Sequence, residues 1–240
     1  MATILIGIDD TDNAASRGTG FLARQLFRQC QNRQLRPLGV TRHQFLIDPR
    51  IPYTSHNSGA CIAVASDSGL EKAEFAFDFV AQNAAEGSDP GLCLTTIDAV
   101  SDEIIKFGQR AASRIVQMQE AFNLAQEASI SLKGLGGANL GVIGALASVG
   151  QRAEGNQGRF IDLPGLRQMP ARVEKQNFIA LGIELRYKLN GRKPLPGDNY
   201  ETLDWVRPRL LAGRPVLLVE WSKEKNAWIP VDRKKSRPLV

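Results

Sequence analysis

Cysteine and histidine, the side chains that build most zinc sites, are scarce in this chain: three cysteines and two histidines in 240 residues. Cys30, Cys61 and Cys93 lie far apart with no CxxC spacing, so they make no zinc site, and their odd number argues against a disulfide framework. A reducing cytosol fits that usage. No apolar run approaches the roughly 20 residues of a membrane span. The first eight residues hold no cationic segment, and Asp9 and Asp10 arrive too soon for the apolar stretch of a signal peptide. The expectation is a soluble, cytoplasmic protein without a membrane partner. Internal repeats and low-complexity tracts are missing too.

What is present is ordinary globular material. A hydrophobic content of 43% over 240 residues supports a sizeable core in one large domain or two small ones. A net charge of +5 tolerates an anionic partner without requiring one.

Ile4, Leu5, Ile6 and Ile8 form a short apolar run that reads as a strand buried on both faces. "GFLARQLFRQCQNRQ" spaces Phe21, Leu22, Leu26, Phe27 and Cys30 as one face of a helix. "GVTRHQFLI" and "ACIAVAS" read as strands around the polar loop "DPRIPYTSHNSG"; "LEKAEFAFDFVAQNAAEG" reads as an amphipathic helix and "SDPGLCLTTID" as a turn and a strand. From Val100 to Ala128 the spacing predicts one long helix, with Gly108 the point where it would break. "SLKGLGGANLGVIGALASVG" is a glycine-rich loop feeding a small-residue helix, and "EGNQGRFIDLPGLR" reads as a hairpin. Beyond about Gln168 the texture changes. "FIALGIELRYKL" reads as a strand, "TLDWVRPRLLAG" as a short helix broken at Pro208, and "RPVLLVEW" with "AWIPVD" as a hairpin. The alternation predicts an α/β fold: a layered mixed sheet with helices over residues 1–170, and a small C-terminal α+β annex or strand-rich subdomain over 171–240.

The densest chemistry follows the first strand. Asp9, Asp10 and Asp12 put three like charges within four residues, and these repel unless a cation stands among them. Strand ends in open α/β sheets are where ligands bind. Mg²⁺ takes one or two carboxylates together with phosphate oxygens. The three aspartates are therefore candidate metal ligands for a nucleotide complex, with Thr11 among them; the alternative is a polar turn capping the next helix. Gly18-Thr19-Gly20, at that helix start, offers backbone amides to a phosphate. Lys133 is a candidate mobile cation, and Gly134, Gly136, Gly137 and Gly141 give its loop the logic of a phosphate loop without the GxxxxGK[ST] order. The alternative there is tight helix–strand packing. His56 and Asn57, flanked by Ser55 and Ser58, form a donor-rich loop suited to a substrate or phosphate, whereas His43 in its apolar strand reads as structural.

These stretches resemble the N-terminal kinase-like domain of the archaeal tRNA agmatinylcytidine synthetase family, which uses ATP to attach agmatine to the anticodon cytidine of an isoleucine tRNA. The family's "GIDDTD" is Gly7 to Asp12 here, and its glycine and threonine turn is Gly18-Thr19-Gly20. Its "NP.IP" segment resembles Asp48-Pro49-Arg50-Ile51-Pro52, its Pro-Gly turn Asp89-Pro90-Gly91, and its "GIIGALAA" helix Gly141 to Ala147. The order holds over about residues 1–170. The resemblance implies the family's α/β kinase-like fold, with the aspartates holding Mg²⁺ and ATP. Two positions depart: the arginine expected beside the glycine loop is replaced by Asn139-Leu140, and the self-phosphorylated threonine has only Thr19 as a counterpart. The length and cysteines for the family's OB-fold and zinc ribbon are missing.

The expectation is thus a Mg²⁺- and ATP-dependent phosphotransferase or ligase, with Asp9, Asp10, Asp12 and Lys133 as its catalytic set and a small-molecule acceptor preferred over tRNA. One alternative is a haloacid dehalogenase-type phosphatase, with Asp10 as nucleophile and Asp12 as acid. Another is a non-catalytic nucleotide-sensing or RNA-binding module, which could use Trp221, Trp228 and the basic tail of Arg233, Lys234, Lys235 and Arg237.

Overall fold

The computed structural model describes residues 1–54, 56–188, 192–203 and 205–231. β1 (Ala2–Asp9) is followed by α1 (Thr19–Asn32), β2 (Arg36–Gln44), β3 (Ser58–Ser66), α2 (Phe75–Asn83) and β4 (Gly91–Thr96). Next come α3 (Asp102–Ala111), α4 (Met118–Glu127), β5 (Ser131–Gly134), α5 (Gly141–Glu154) and β6 (Arg159–Asp162). The remainder holds β7 (Arg172–Glu174), α6 (Lys175–Ala180), β8 (Glu184–Lys188), β9 (Asn199–Glu201), β10 (Arg209–Leu211), β11 (Arg214–Ser222) and β12 (Ala227–Pro230).

β1 lies inside the sheet because its side chains are apolar on both faces. Ile4, Ile6 and Ile8 pack under α1 and α2 on one side; Leu5 packs under α3, α4 and α5 on the other. All four are at most 1% exposed, so each contributes about 1.5–3 kcal/mol of burial. The strands run in the order β5-β4-β1-β3-β2-β6-β10-β11-β12-β9-β7, with β8 beside β11. β1 is antiparallel to both neighbours, and the parallel pairs are β8 with β11 and β9 with β12. The architecture is a layered, mostly antiparallel α/β sheet, and the last part continues that sheet through β6 and β10.

α5 lies almost in contact with the sheet backbone. A side chain on Gly7 would come within 2.1 Å of the Ala145 carbonyl oxygen, so only glycine lets the helix approach so closely. That approach brings the start of α5, the end of β1 and the start of α1 to one place.

Several expected elements come out differently. The long helix predicted over 100–128 is two helices, and it breaks after Ala111 rather than at Gly108, which sits inside α3. Ile115 and Val116 continue the apolar spacing because they line a cavity, not a helix face. The stretch from Glu154 to Arg167 is no hairpin: Gly155, in the left-handed region at φ 84, ends α5, and β6 pairs with β2 and β10. "FIALGIELRYKL" divides into the end of α6, a turn with Gly182 at φ 71, and β8. "TLDWVRPRLLAG" forms no helix among its described residues; it runs irregularly past Pro208 into β10. The basic tail lies outside the described residues. Trp228 is fully buried, with its indole N–H donated to Asp198 Oδ2 at 2.9 Å, so it presents no stacking surface to RNA. No helix is long and apolar enough to cross a membrane among the described residues.

Candidate functional site

At the end of β1 the backbone turns through Asp10, whose φ of 51 puts it in the left-handed region that aspartate tolerates better than most side chains. The turn separates the three carboxylates instead of stacking them. Asp9 points onto α5, where a Cβ on residue 144 would lie 1.7 Å from its Oδ2, so Gly144 exists to make room for that carboxylate. Burial pushes the Asp9 carboxyl up to about 7, and Asp10 and Asp12 add to the rise against a hydrogen bond from the Asp10 amide. Asp10 is pushed up to about 6, first by burial and then by Asp89 and Asp12, with the Asp89 amide opposing.

Asp12 does different work. Its Oδ1 accepts from the Thr19 amide at 3.1 Å and the Thr19 hydroxyl at 2.7 Å, and its Oδ2 accepts from the Thr54 hydroxyl at 2.7 Å. Asp12 thus caps α1 from seven residues upstream and ties it to the loop before β3. For this carboxylate the capping alternative holds. Thr11 is buried behind it, with its amide and hydroxyl on the Thr19 oxygen at 3.3 and 3.2 Å. The Thr19 hydroxyl is committed between Thr11 and Asp12, which is not how a phosphorylation target is presented. Among the described residues no group of three His, Cys, Asp or Glu side chains stands close enough to hold a metal ion, so the expected three-aspartate metal set is not assembled.

The aspartates, Thr19, Thr54, His56, Asn57, Ser58 and Gly141 line one cavity. Its opposite wall is apolar, formed by Phe45, Ile51, Ile115, Val116 and Ile143, with Arg50 and Arg114 also lining it. Asn57 holds the loop in place, its side-chain amide donating to the Leu46 carbonyl at 2.7 Å. Of the other expected residues, Gly18 and Gly20 line an adjoining cavity.

Of the glycine loop only its end, Leu140 and Gly141, reaches this wall; Lys133, Gly134, Gly136 and Gly137 do not line it. Lys133 lies on β5 with its Nζ 4.5 Å from the Phe77 ring centre. Gly134 makes room for Asn139, whose Oδ1 would lie 1.9 Å from an added Cβ. Gly137, at φ 61, is folded against the Asp89 carboxylate. A loop wrapped around a carboxylate is a poor seat for phosphate, and Gly141 abuts the Asp89 carbonyl and the Gly91 amide. The packing alternative therefore accounts for Gly134, Gly137 and Gly141, and Gly136 has no contact closer than 3.4 Å. Sequence reasoning missed Asp89 and Thr54 as neighbours of the aspartates. It also missed Gly144, for which the small-residue pattern of α5 was the available signal.

No protein-family model matches the chain. It is similar to TiaS, the isoleucine tRNA 2-agmatinylcytidine synthetase of Thermococcus sibiricus (strain DSM 12597 / MM 739), with 28% identity over 163 residues, covering 62% of this chain and 35% of that enzyme. The chain is a relative of part of TiaS. Its fold matches that of TiaS in complex with its isoleucine tRNA and ATP, with a TM-score of 0.55 at 27% identity, over 62% of this chain and 36% of that one. It matches apo TiaS at 0.52 and 25%, over 62% and 35%. The chain spans about a third of the length of these relatives. The resemblance read from "GIDDTD" and the α/β fold expected with it are both borne out.

Proposed function

We propose that the chain binds ATP with Mg²⁺ in the carboxylate cavity and uses it in a ligase or transferase reaction. The observation that carries this reading is the pair Asp9 and Asp10, two half-buried carboxylates raised toward neutrality beside a glycine cradle and an apolar wall. A cation is what such a pair lacks. Two carboxylates suit Mg²⁺ that also takes phosphate oxygens, better than the three first expected, because Asp12 is spent on Thr19 and Thr54. Metal-bound ATP would supply an activated phosphoryl group. Thr54, His56 and Ser58 line the same cavity, where they would orient phosphates or acceptor, and Phe45, Ile115 and Val116 would exclude water around a base. Such chemistry rests on positioning and charge neutralisation.

The phosphatase alternative is weakened by Asp12, its supposed acid, which is an acceptor from the Thr19 amide and the Thr19 and Thr54 hydroxyls and so is held as a carboxylate. The preference for a small acceptor over tRNA is withdrawn, since one solved TiaS structure contains an isoleucine tRNA together with ATP. The test is calorimetric titration of ATP with and without Mg²⁺, followed by assay of phosphate and AMP release. Mg²⁺-dependent binding lost in Asp9→Asn is expected. Binding indifferent to both metal and Asp9 would overturn the site.

A further inference from the structure

Between β2 and β3 the chain makes a long loop whose root and tip are held very differently. The root is fixed. The Phe45 amide donates to the Asn57 carbonyl at 2.9 Å, and the Leu46 amide to the Ala111 carbonyl of α3 at 2.9 Å. The Asn57 side-chain amide returns to the Leu46 carbonyl, and the Gln44 side-chain amide donates to the Phe45 and Asn57 carbonyls. Phe45 itself is buried, in the same core as Phe107 and Ala111 of α3.

The tip, residues 47–54, is a separate piece braced within itself. The Asp48 carboxylate accepts from the Arg50 amide at 3.0 Å and from two guanidinium nitrogens of Arg50 at 2.8 Å each. The Ile51 amide donates to the Asp48 carbonyl at 3.0 Å, and Pro49 and Pro52 stiffen the same stretch. None of these eight residues is buried, and Ile47 and Tyr53 are 62% and 42% exposed. Among the described residues, the tip's one polar bond to the rest of the molecule is from the Thr54 hydroxyl to Asp12 Oδ2. A braced segment with exposed side chains, a fixed root and one tether moves at low cost.

We propose that residues 47–54 are a lid over the carboxylate cavity, hinged on the root of the loop and latched by Thr54 on Asp12. Ile51, Pro52, Tyr53 and Thr54 all line that cavity, so the tip is part of its wall. With the tip in place the cavity holds about 210 Å³, less than the roughly 300–1,000 Å³ of pockets that take small-molecule ligands. The tip must therefore lift to admit a nucleotide. Lifting exposes little new apolar surface, because Ile47 and Tyr53 already face water. The latch is a hydrogen bond to a carboxylate, stronger than one between neutral groups. Asp12 keeps its two bonds from Thr19 when Thr54 leaves, so α1 stays capped while the lid moves. That ATP is what the lid admits rests on the reading above; the movement of the tip does not.

The test combines stopped-flow mixing with a fluorescent ATP analogue in Mg²⁺ and limited trypsin digestion, which reads the tip at the exposed Arg50. Thr54→Val keeps the shape of an exposed side chain and removes the donor. It should speed association of the analogue about threefold and its dissociation about tenfold, and quicken cleavage after Arg50 about fivefold. The melting temperature should not change. Thr54→Ser, which restores a hydroxyl, should return all three rates toward those of the parent chain. Association no faster in Thr54→Val would overturn the proposal, because a hydroxyl that only touches the ligand acts on dissociation. Cleavage after Arg50 indifferent to Thr54 would overturn it as well. Absence of binding by the analogue, with latch-dependent cleavage intact, would sink the nucleotide reading and leave the lid standing.

Discussion

The carboxylate cavity and the cavity that adjoins it form an acidic end and a basic end, both built from like charges but by opposite routes. The acidic end is local: Asp9, Asp10 and Asp12 come from four consecutive positions, and one left-handed residue aims them. The basic end is assembled from Arg17, Arg24, Arg42 and Arg207, spread over nearly two hundred residues. The acidic end keeps two raised carboxylates, a state that a bound cation would reverse. The basic end keeps arginines, which stay charged even where burial lowers them, so its field persists at any ordinary pH and suits an anion. A charge cluster made of carboxylates can thus neutralise itself by taking up protons, while one made of arginine cannot shed its charge.

The largest expected effect tests how fixed the charge behind the basic end is. His43 follows Arg42 on β2, is fully buried, and has its Nε2 2.8 Å from the Thr41 hydroxyl. Burial, then the Arg152 guanidinium, pushes its imidazole down to about 3, while Gln151 and the Gln157 backbone oppose. Unfolded histidine takes its proton near 6.5, so the unfolded state binds more protons between about 6.5 and 3, and stability falls as pH drops through that window. From pH 6.5 to 4 the loss is about 3 kcal/mol. Urea unfolding of His43→Gln should show that much less pH dependence than the parent chain. Identical profiles would mean that the imidazole is not held neutral.

Next in size is the acidic end. Asp10→Asn keeps a residue that tolerates a positive φ and removes one of three repelling charges. ATP affinity in Mg²⁺ should fall by a factor of about 30, roughly 2 kcal/mol. The ligand-free protein should be as stable as the parent or slightly more so, as strained sites often are. Unchanged ATP affinity in this variant would sink the metal assignment at the acidic end.

An effect of comparable size, on stability and not on binding, marks where the acidic end stops. Gly137→Val forces a β-branched residue to φ 61 with its Cβ 2.9 Å from the Asp89 carboxylate, and should cost about 1–3 kcal/mol of stability. Gly136→Val, with nothing nearer than 3.4 Å, should cost less. Neither should change ATP affinity, and a large loss of binding without loss of stability would return the loop to phosphate.

How much of this was legible follows the same division. β1, α1, β3, β4 and α5 could be read because each is a short run whose period or apolarity decides its form. The aspartates could be located as a cluster, but not divided into Asp9 and Asp10 on one hand and a capping Asp12 on the other, because Thr54 enters from 42 residues away. The basic end was invisible, since Arg17, Arg24, Arg42 and Arg207 come to line one cavity only through the fold. Ile115 and Val116 misled for a related reason. They are apolar to wall a cavity, and periodicity does not distinguish that from a helix face.

The smallest expected effect concerns the residue for which sequence and structure part most clearly. Lys133 stands at the head of a glycine-rich loop that feeds a helix, the order that suggests a cation for phosphates. β5, however, is the edge strand beside β4, and Lys133 on it is exposed and covers the Phe77 ring of α2 at 4.5 Å, away from the residues that line the carboxylate cavity. An exposed contact of this kind contributes about 0.5–1 kcal/mol. Lys133→Gln should therefore lower stability by no more than that in urea unfolding and leave ATP affinity within about twofold of the parent value, roughly 0.4 kcal/mol. A tenfold weaker affinity for ATP in this variant would mean that β5 and its loop close over the nucleotide when it binds. The boundary drawn between the carboxylate cavity and the glycine loop would then hold only for the ligand-free molecule.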